Sequence, residues 1–385
     1  MTDTDDKNSE DNIPVGEIVQ LGKSSHAQNK MELGEIPGAE QVDGKRYGVW
    51  VDRDKEGRKI RERILRDRYG KRTDWFPNGI KKQECQFLDR KQHGKFTIYY
   101  ANGLKKREGE FKNGKLNGKW TWWSRTGQKR GQGEFKDDRQ HGTWINWYDN
   151  GKKKNASQFN EGVLHGKWSK WNDDEQRLGR GQFNNGKKVG KWLVWNADGI
   201  KTAEYEFVNS FKHGKWTQWN NKGVRITTGH FKFGKKTGKW CFWSDNGVKK
   251  EESEFTKNKK TGKCTLFEDG GSSSGKLING LKDGRWSFFN QYGKLIEEGV
   301  FRDDQKSSVW FLYDENGRVK REGQYKAGLQ DGKWTFWDDQ GIRRLEINYR
   351  DGERDGISIE WNDEGYMVKR EVYREGQLSK LLGVI

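Results

Sequence analysis

Aromatic residues recur along this chain in a pattern that repeats about every 24 residues. Each unit opens with a small residue, almost always glycine, and places aromatic residues two and five positions later, with a third aromatic near its end. Charged and polar residues fill most of the remaining positions. A fixed period of this length is the signature of a repeat architecture, so we expect each unit to be one supersecondary element that stacks on its neighbours. The units open at Gly48, Gly70, Gly94, Gly118, Gly142, Gly166, Gly190, Gly214, Gly238, Gly262, Gly284, Ser308, Gly332 and Gly356.

The tryptophans test the register of this repeat, because all but one of the 20 fall at only two places in it. Ten lie two residues after an opening position and nine lie five residues after one, and only Trp122 lies elsewhere. We call these two sets the first and second tryptophan rows. Random placement does not produce such a register.

Each unit holds two short runs of aromatic and β-branched residues separated by a turn that usually contains Asn-Gly, as at 149–151 and 245–247. Asn-Gly between such runs is a strong β-hairpin signal, since the turn needs positive φ angles. The runs are too short for helices, and a mean hydropathy of −1.21 is too polar for a conventional globular core. We therefore predict an all-β fold, an elongated single-layered antiparallel meander or solenoid of about fourteen 24-residue β-hairpin repeats. About 28 strands, at roughly 4.8 Å each, would extend on the order of 130 Å.

The two tryptophan rows are three residues apart, so a regular strand would place them on opposite faces of the sheet. Two arrangements fit this spacing. A β-bulge would bring both rows to one face, whereas an unbulged single-layered sheet would carry aromatic residues on both faces. In the second case one face is a surface for a partner, because exposed apolar patches beyond a few hundred Å² usually mark binding sites.

The segment Gly-Lys-Phe-Thr-Ile-Tyr-Tyr-Ala-Asn-Gly-Leu-Lys-Lys-Arg-Glu-Gly-Glu-Phe at 94–111 shows one repeat in full. Its pattern resembles the MORN repeat variant of bacterial proteins often labelled the YwqK antitoxin family. The resemblance covers about residues 46–378 and implies β-hairpin repeats that serve as interaction or membrane-proximal scaffolds. Individual units depart from the pattern at Arg53, Glu175, Cys264 and Ser308.

The two ends of the chain differ from the array. Residues 1–44 hold no repeat and carry ten acidic residues against three lysines, which predicts a disordered acidic N-terminal arm. The net charge of +18 is therefore the sum of −7 on this arm and about +25 on the remainder. The repeat array spans 45–378, and we expect residues 379–385 to form a capping segment over the last strand edge.

The sequence also bears on the compartment. It shows no secretory signal and no apolar run long enough for a transmembrane helix. Its three cysteines give no disulfide framework, which favours a reducing interior. These features predict a cytoplasmic protein, with a peripheral position at a membrane as a variant of that prediction.

Two surfaces are candidate binding sites. The aromatic one, for a partner protein, comprises Trp120, Trp144, Trp168, Trp192, Trp216 and Trp240 of the first row and Trp123, Trp147, Trp171, Trp195, Trp219 and Trp243 of the second. The basic one, which we call the basic row, comprises Lys105, Lys129, Lys153, Lys201, Arg225 and Lys249. Cations beside aromatic rings suit a polyanion, either nucleic acid or anionic lipid. The alternatives are a structural aromatic ladder and a solvated basic face that blunts edge aggregation.

The residue inventory gives no support for catalysis or metal binding. His93, His141, His165 and His213 each precede an opening glycine, but equivalent residues of adjacent hairpins lie roughly 10 Å apart, too far to share one ion. No nucleophile–base set, P-loop or dinucleotide-binding motif stands out. We therefore predict no catalytic residue, no cofactor, no metal and no small-molecule substrate.

The sequence thus predicts a non-enzymatic scaffold that presents an aromatic and basic surface to a partner protein. Polyanion binding, to anionic lipid or nucleic acid, is the main alternative. Antitoxin-like neutralisation of a partner toxin is a third possibility, which rests on the family label alone.

Overall fold

The computed structural model describes residue 33 and residues 39–384. All the regular elements in this part of the chain are β-strands, 31 in number, so it contains no helix long and apolar enough to cross a membrane. The strands fall into two compact structural units, which divide between Ile200 and Lys201. From here on, the first and second units are these two parts of the chain, and each 24-residue element is called a repeat.

The first unit is an antiparallel meander in which each strand pairs with the strands before and after it. Its strands are β1 (Glu40–Val42), β2 (Lys45–Arg53), β3 (Lys59–Arg66), β4 (Tyr69–Trp75), β5 (Lys81–Leu88), β6 (Lys91–Tyr99), β7 (Lys105–Lys112), β8 (Lys115–Trp123), β9 (Lys129–Lys136), β10 (Arg139–Trp147), β11 (Lys153–Asn160), β12 (Val163–Trp171), β13 (Arg177–Asn184) and β14 (Lys187–Trp195).

The second unit repeats this arrangement. Its strands are β15 (Lys201–Val208), β16 (Phe211–Trp219), β17 (Arg225–Lys232), β18 (Lys235–Trp243), β19 (Lys249–Thr256), β20 (Lys259–Glu268), β21 (Gly271–Ile278), β22 (Leu281–Lys282), β23 (Gly284–Asn290), β24 (Leu295–Arg302), β25 (Gln305–Tyr313), β26 (Val319–Lys326), β27 (Leu329–Trp337), β28 (Arg343–Arg350), β29 (Glu353–Trp361), β30 (Met367–Arg374) and β31 (Gln377–Val384). The one irregularity among these strands is that β21 pairs with both β22 and β23. The predicted all-β meander of hairpin repeats is confirmed.

Two kinds of turn join the strands. In the longer one, after β6, the Gly103 N–H donates to the Tyr100 carbonyl oxygen at 2.9 Å, and Gly103 has a φ of +86°. The shorter one, between β7 and β8, places Asn113 and Gly114 at φ angles of +53° and +81°. Two adjacent positive φ angles are what a type I′ hairpin turn requires, which explains the Asn-Gly pair at this point.

A β-bulge at the opening glycine shifts the strand register. Residues 118–120 of β8 lie opposite the single residue Gly109 of β7. Gly118 adopts a φ of +65°, in the left-handed region that a side chain disfavours, and this is why glycine opens the repeat. The opening glycines from Gly94 onward share a positive φ, whereas Gly48 and Gly70 do not. Ser308, the one opening residue that is not glycine, is held at +60° in the same conformation.

Because of the bulge, the first-row indole packs flat against the neighbouring strand. A Cβ atom added to Gly109 would lie 2.1 Å from the ring of Trp120, so only glycine fits beneath it. The Trp120 Nε1–H donates to the carbonyl oxygen of Glu110 at 3.1 Å, which satisfies the indole without a second layer of structure. The same contact with glycine recurs at Trp144, Trp192, Trp240, Trp286, Trp310 and Trp334.

The structure describes part of each predicted terminal segment. Within the predicted arm, Glu40–Val42 form β1, which pairs with β2. Residues 1–32 and 34–38 of the arm lie outside the described residues. At the other end, β31 includes the predicted capping segment up to residue 384 and pairs with β30.

Candidate functional site: the second face of the sheet

The two faces of the sheet carry different residues. In β8, Trp120 and Trp122 share one face, with ring centroids 6.3 Å apart, while Thr121 and Trp123 lie on the other because strand residues alternate. A second bulge near Trp123 adds its extra residue to β9, so the alternation in β8 continues. We call these the first and second faces. Bulges are therefore present, and the two tryptophan rows still lie on opposite faces.

The first tryptophan row is core. Trp120 lies 5.3 Å from Phe111 and 6.1 Å from Phe135 between ring centroids, with interplanar angles of 89° and 87°. Edge-to-face contacts of this kind are favourable beyond their buried area. The six first-row candidates are at most 6% exposed: Trp120, Trp144, Trp168, Trp192, Trp216 and Trp240. A partner does not reach these rings on the folded surface.

Side chains two positions before the opening residue complete the cover of the first row. In the second unit, Lys306 places its Nζ 4.0 Å from the ring centroid of Trp310. In the first unit, the buried side chains of Leu116 and Leu164 hold equivalent positions. A lysine stem covers apolar surface while its ammonium group reaches water, so both choices bury the indole.

The second tryptophan row is half-buried on the second face, where a cation of the preceding hairpin covers each of several rings. Lys201 Nζ lies 4.2 Å from the ring centroid of Trp219, and the Arg225 guanidinium lies 4.5 Å from that of Trp243. The half-buried members include Trp123, Trp147, Trp171, Trp195, Trp219 and Trp243. These indoles keep exposed area that a partner can contact.

The basic row lies on the same face as the second tryptophan row. Lys105, Lys129, Lys153 and Arg225 are exposed, and Lys201 and Lys249 are half-buried. The four members with a described ring contact are Lys105, Lys201, Arg225 and Lys249. Of the two candidate surfaces, the structure brings the basic row and the second tryptophan row together and places the first tryptophan row on the opposite face.

A row of glutamates neutralises much of the basic row, and it is not among the residues predicted from the sequence. Lys201 Nζ lies 3.0 Å from a carboxylate oxygen of Glu204. Hydrogen bonds from Lys239 and Lys249 lower the pKa of Glu252 to about 2. The row comprises Glu62, Glu84, Glu108, Glu204, Glu252, Glu298, Glu322 and Glu346. In most of these repeats the glutamate follows a basic residue by three positions, and that spacing was the available signal.

The glutamate row is interrupted in the first unit. Gln132, Ala156 and Arg180 take its place in three consecutive repeats, while the basic row continues there with Lys129 and Lys153. The second face over these three repeats therefore carries cations without a neighbouring glutamate. In the second unit the same position is taken by Thr228, Ser274 and Arg370.

The histidines and cysteines lie apart from this face or make local contacts. His93 Nδ1 lies 3.3 Å from Oδ1 of Asn113, and the His213 ring centroid lies 4.9 Å from that of Phe233. Burial raises the pKa of the Cys85 thiol to about 12, so this thiol is a small apolar side chain. Within residue 33 and residues 39–384, no group of three or more His, Cys, Asp or Glu side chains is placed to hold a metal ion.

The repeat itself matches a known family model. The model of the MORN repeat variant matches residues 92–113, 116–137, 140–161 and 308–327, each of which spans one hairpin. The chain therefore contains MORN-variant repeats, as its sequence pattern predicts. The match does not extend to the YwqK-type label.

Comparisons with whole proteins add little to this. No curated protein matches the chain. Among solved structures, the crystal structures of TcdB2-TccC3-Cdc42 and of TcdB2-TccC3 without its hypervariable C-terminal region match at 10% identity and a TM-score of 0.16. These matches cover 86% and 85% of this chain, which spans only 21% of each of those chains. A TM-score this low supports no structural conclusion.

Proposed function

We propose that this chain, which carries MORN-variant repeats, is a non-enzymatic scaffold whose second face docks a partner protein. The observation that carries the proposal is the half-exposed second tryptophan row. The first row already supplies the core, so core packing alone does not account for a second periodic row of indoles on the other face. Tryptophan is enriched among the residues that dominate binding energy at protein interfaces.

The geometry of the second row favours docking in two ways. The cations over Trp219 and Trp243 hold the indoles in place, so binding costs little side-chain entropy. Equivalent rings recur every two strands, or roughly 10 Å, which gives a partner several evenly spaced anchors. A partner that engages several of them gains from multivalency.

Polyanion binding is the second candidate function, and the interrupted glutamate row favours it. Ionic strength separates the two candidates. Binding to a polyanion falls steeply as salt rises, whereas docking through half-buried indoles persists because apolar contact is not screened.

The test is an affinity pull-down with the full-length chain at low and moderate salt, comparing Trp219→Ala/Trp243→Ala with a control. The control is Tyr292→Ala/Tyr366→Ala, which removes two aromatic residues that are 78% and 72% exposed at turns of the same unit. We expect a protein that is retained at both salts by the parent and the control but lost with the tryptophan variant.

Equal retention by both variants would show that the second row does not carry the interface. Retention of nucleic acid or lipid at low salt only would indicate that polyanion binding by the basic row is the function. Circular dichroism and thermal melting of both variants confirm that the repeats remain folded.

A further inference from the structure

A groove without acidic residues lies on the second face of the first unit. Its volume is about 480 Å³ and it runs across β12, β13 and β14. Lys167 enters it from β12, Arg177 and Arg180 from β13, and Lys191 from β14. None of its lining residues, all within the described part of the chain, is an aspartate or glutamate.

The two arginines of the groove are held by the second tryptophan row. The Arg177 guanidinium lies 5.8 Å from the ring centroid of Trp171, and that of Arg180 lies 6.0 Å from Trp195. Among the residues that the structure describes, neither arginine pairs with a carboxylate, and the same is true of Lys167. The two arginines are therefore packed on indoles, and they and Lys167 retain their charge for a ligand.

Arg180 occupies the place that holds a glutamate in eight of the repeats and an arginine again at Arg370. In the next repeat, that glutamate is Glu204, which pairs with Lys201 at 3.0 Å. Replacing an acid with a base at this position changes the local charge by two units. At the groove the local charge balance of the second face is therefore reversed from that of the repeats that carry the glutamate.

The spacing of the cations selects the density of charge in the ligand. Three adjacent strands span roughly 10 Å, and Lys167, Arg177 and Arg180 place three cationic side chains within that span. In an extended acidic peptide, carboxylates on one side recur about every 6.6 Å, so such a peptide offers only about two charges over this length. A chain of linked phosphates offers more charge in less length, and arginine recognises phosphate with two parallel hydrogen bonds.

We propose that this groove binds an oligophosphate group. Arg177 and Arg180 donate paired hydrogen bonds to phosphate oxygens, and Lys167 supplies a compact charge beside them. Ser169 and Gln182 also line the groove, and in the strand register they lie opposite Arg180 and Lys167. The Ser169 hydroxyl and the Gln182 side-chain amide add neutral donors. The inference goes beyond the scaffold function and does not depend on it.

The test is isothermal titration calorimetry of the full-length chain with sodium tripolyphosphate and, separately, with ATP, at an ionic strength of about 0.1 M. Arg177→Gln/Arg180→Gln is compared with Lys239→Gln/Lys333→Gln, which removes the same charge from cations that lie outside the basic row and are paired with glutamates. We expect the arginine variant to bind tripolyphosphate about tenfold more weakly or worse, as charge-assisted hydrogen bonds are lost. The lysine control stays within about twofold of the parent, since its cations lie in other repeats.

The outcomes separate cleanly. If ATP binds more tightly than tripolyphosphate, the site is supported and its ligand is a nucleotide whose base stacks on an indole. If the two bind with equal affinity, the site is supported and it recognises the phosphate chain alone. The proposal is overturned if neither probe binds the parent, or if both double variants lose affinity equally. Arg177→Lys/Arg180→Lys, which retains charge and removes the paired donors, is expected to bind with intermediate affinity. The pull-down with Trp219→Ala/Trp243→Ala tests the scaffold function, and its outcome does not depend on whether the groove binds phosphate.

Discussion

At the residue scale, most strand pairs that carry a first-row tryptophan depend on a match of size between two facing positions. Where a tryptophan of the first row is present, its usual partner is glycine, as with Gly323 beneath Trp334. Where the tryptophan is replaced by Ser358, the facing residue is the larger Ile347. At this pair the larger facing side chain compensates for the missing indole, because a close-packed interior does not tolerate a cavity. Trp216 is an exception, since it faces Tyr205 and stacks on it with ring centroids 4.7 Å apart.

The variant Gly133→Ala tests this match. A Cβ atom at this position would lie 2.2 Å from the Trp144 ring, so the indole must leave the strand surface and its hydrogen bond to the Glu134 carbonyl oxygen. We expect a loss of about 1–3 kcal/mol in the free energy of unfolding, the usual range for overpacking. Urea denaturation followed by tryptophan fluorescence measures it.

The matched control is Gly270→Ala, where an added Cβ would meet nothing within 4 Å. We expect this variant to unfold within about 0.5 kcal/mol of the parent, as most surface substitutions do. Equal losses in the two variants would mean that glycine flexibility, and not the indole contact, governs the site.

At the element scale, two ion pairs that share one glutamate join the two strands of a hairpin, and we call this arrangement the charged clip. Glu252 on β19 bonds with Lys239 of β18 and with Lys249 of its own strand. These hydrogen bonds lower the pKa of Glu252 to about 2. Because the folded-state pKa lies below that of the unfolded chain, the clip contributes its full stability above about pH 4.3 and loses it as the pH falls toward 2.

The variant Glu252→Gln should therefore narrow the difference in stability between pH 7 and pH 3. The carboxylate is a quarter exposed, so we expect the difference between parent and variant at pH 7 to stay under about 1 kcal/mol and to vanish near pH 2. Denaturation midpoints at the three pH values provide the measurement. Glu322→Gln is the control, since Glu322 holds the same place in its repeat with no ion pair among the described residues. A parent and a Glu252 variant with parallel pH profiles would contradict the clip.

The hairpin was predictable from sequence because its signals are local. Asn113 and Gly114 specify a turn by their own φ preferences, and the period of the aromatic residues fixes the length of each strand. The assignment of faces was not predictable, because it depends on which strand receives the extra residue of a bulge. That choice places Trp120 in the core and leaves Trp123 half-exposed. It is a property of the paired strands together.

At the scale of the whole molecule, the proposed oligophosphate site lies where the repeat deviates from its own pattern. Equivalent positions carry Glu204 in one repeat and Arg180 in the one before it. Composition reveals the excess of positive charge but not its local balance, since the pairing of Lys201 with Glu204 requires the folded register. The basic row was therefore predictable as a set of residues, and the groove around Arg180 was not.

The charge asymmetry between the acidic arm and the array predicts internal competition for that groove. Residues 1–38, most of which lie outside the described part of the chain, can span at most about 130 Å when extended. The twelve strand spacings from β1 to β13 amount to roughly 60 Å, so the arm is long enough to reach. An acidic segment tethered to the same chain acts at a high effective concentration. We expect deletion of residues 1–38, which leaves β1 intact, to strengthen tripolyphosphate binding several-fold at low ionic strength.

The expected gain has an electrostatic origin, so it should disappear at about 1 M salt, where the Debye length is near 3 Å. A full-length variant with the acidic residues of this segment changed to Asn and Gln is the control for chain removal, and it should reproduce the gain. Calorimetric titrations of the three proteins at both salt concentrations decide the point. An affinity that is the same with and without residues 1–38 at low salt would show that the arm does not compete. A gain from deletion without a gain from neutralisation would show that the arm obstructs the groove by bulk. Competition by charge would make the arm a built-in regulator, since a partner that captures it would free the groove for its ligand.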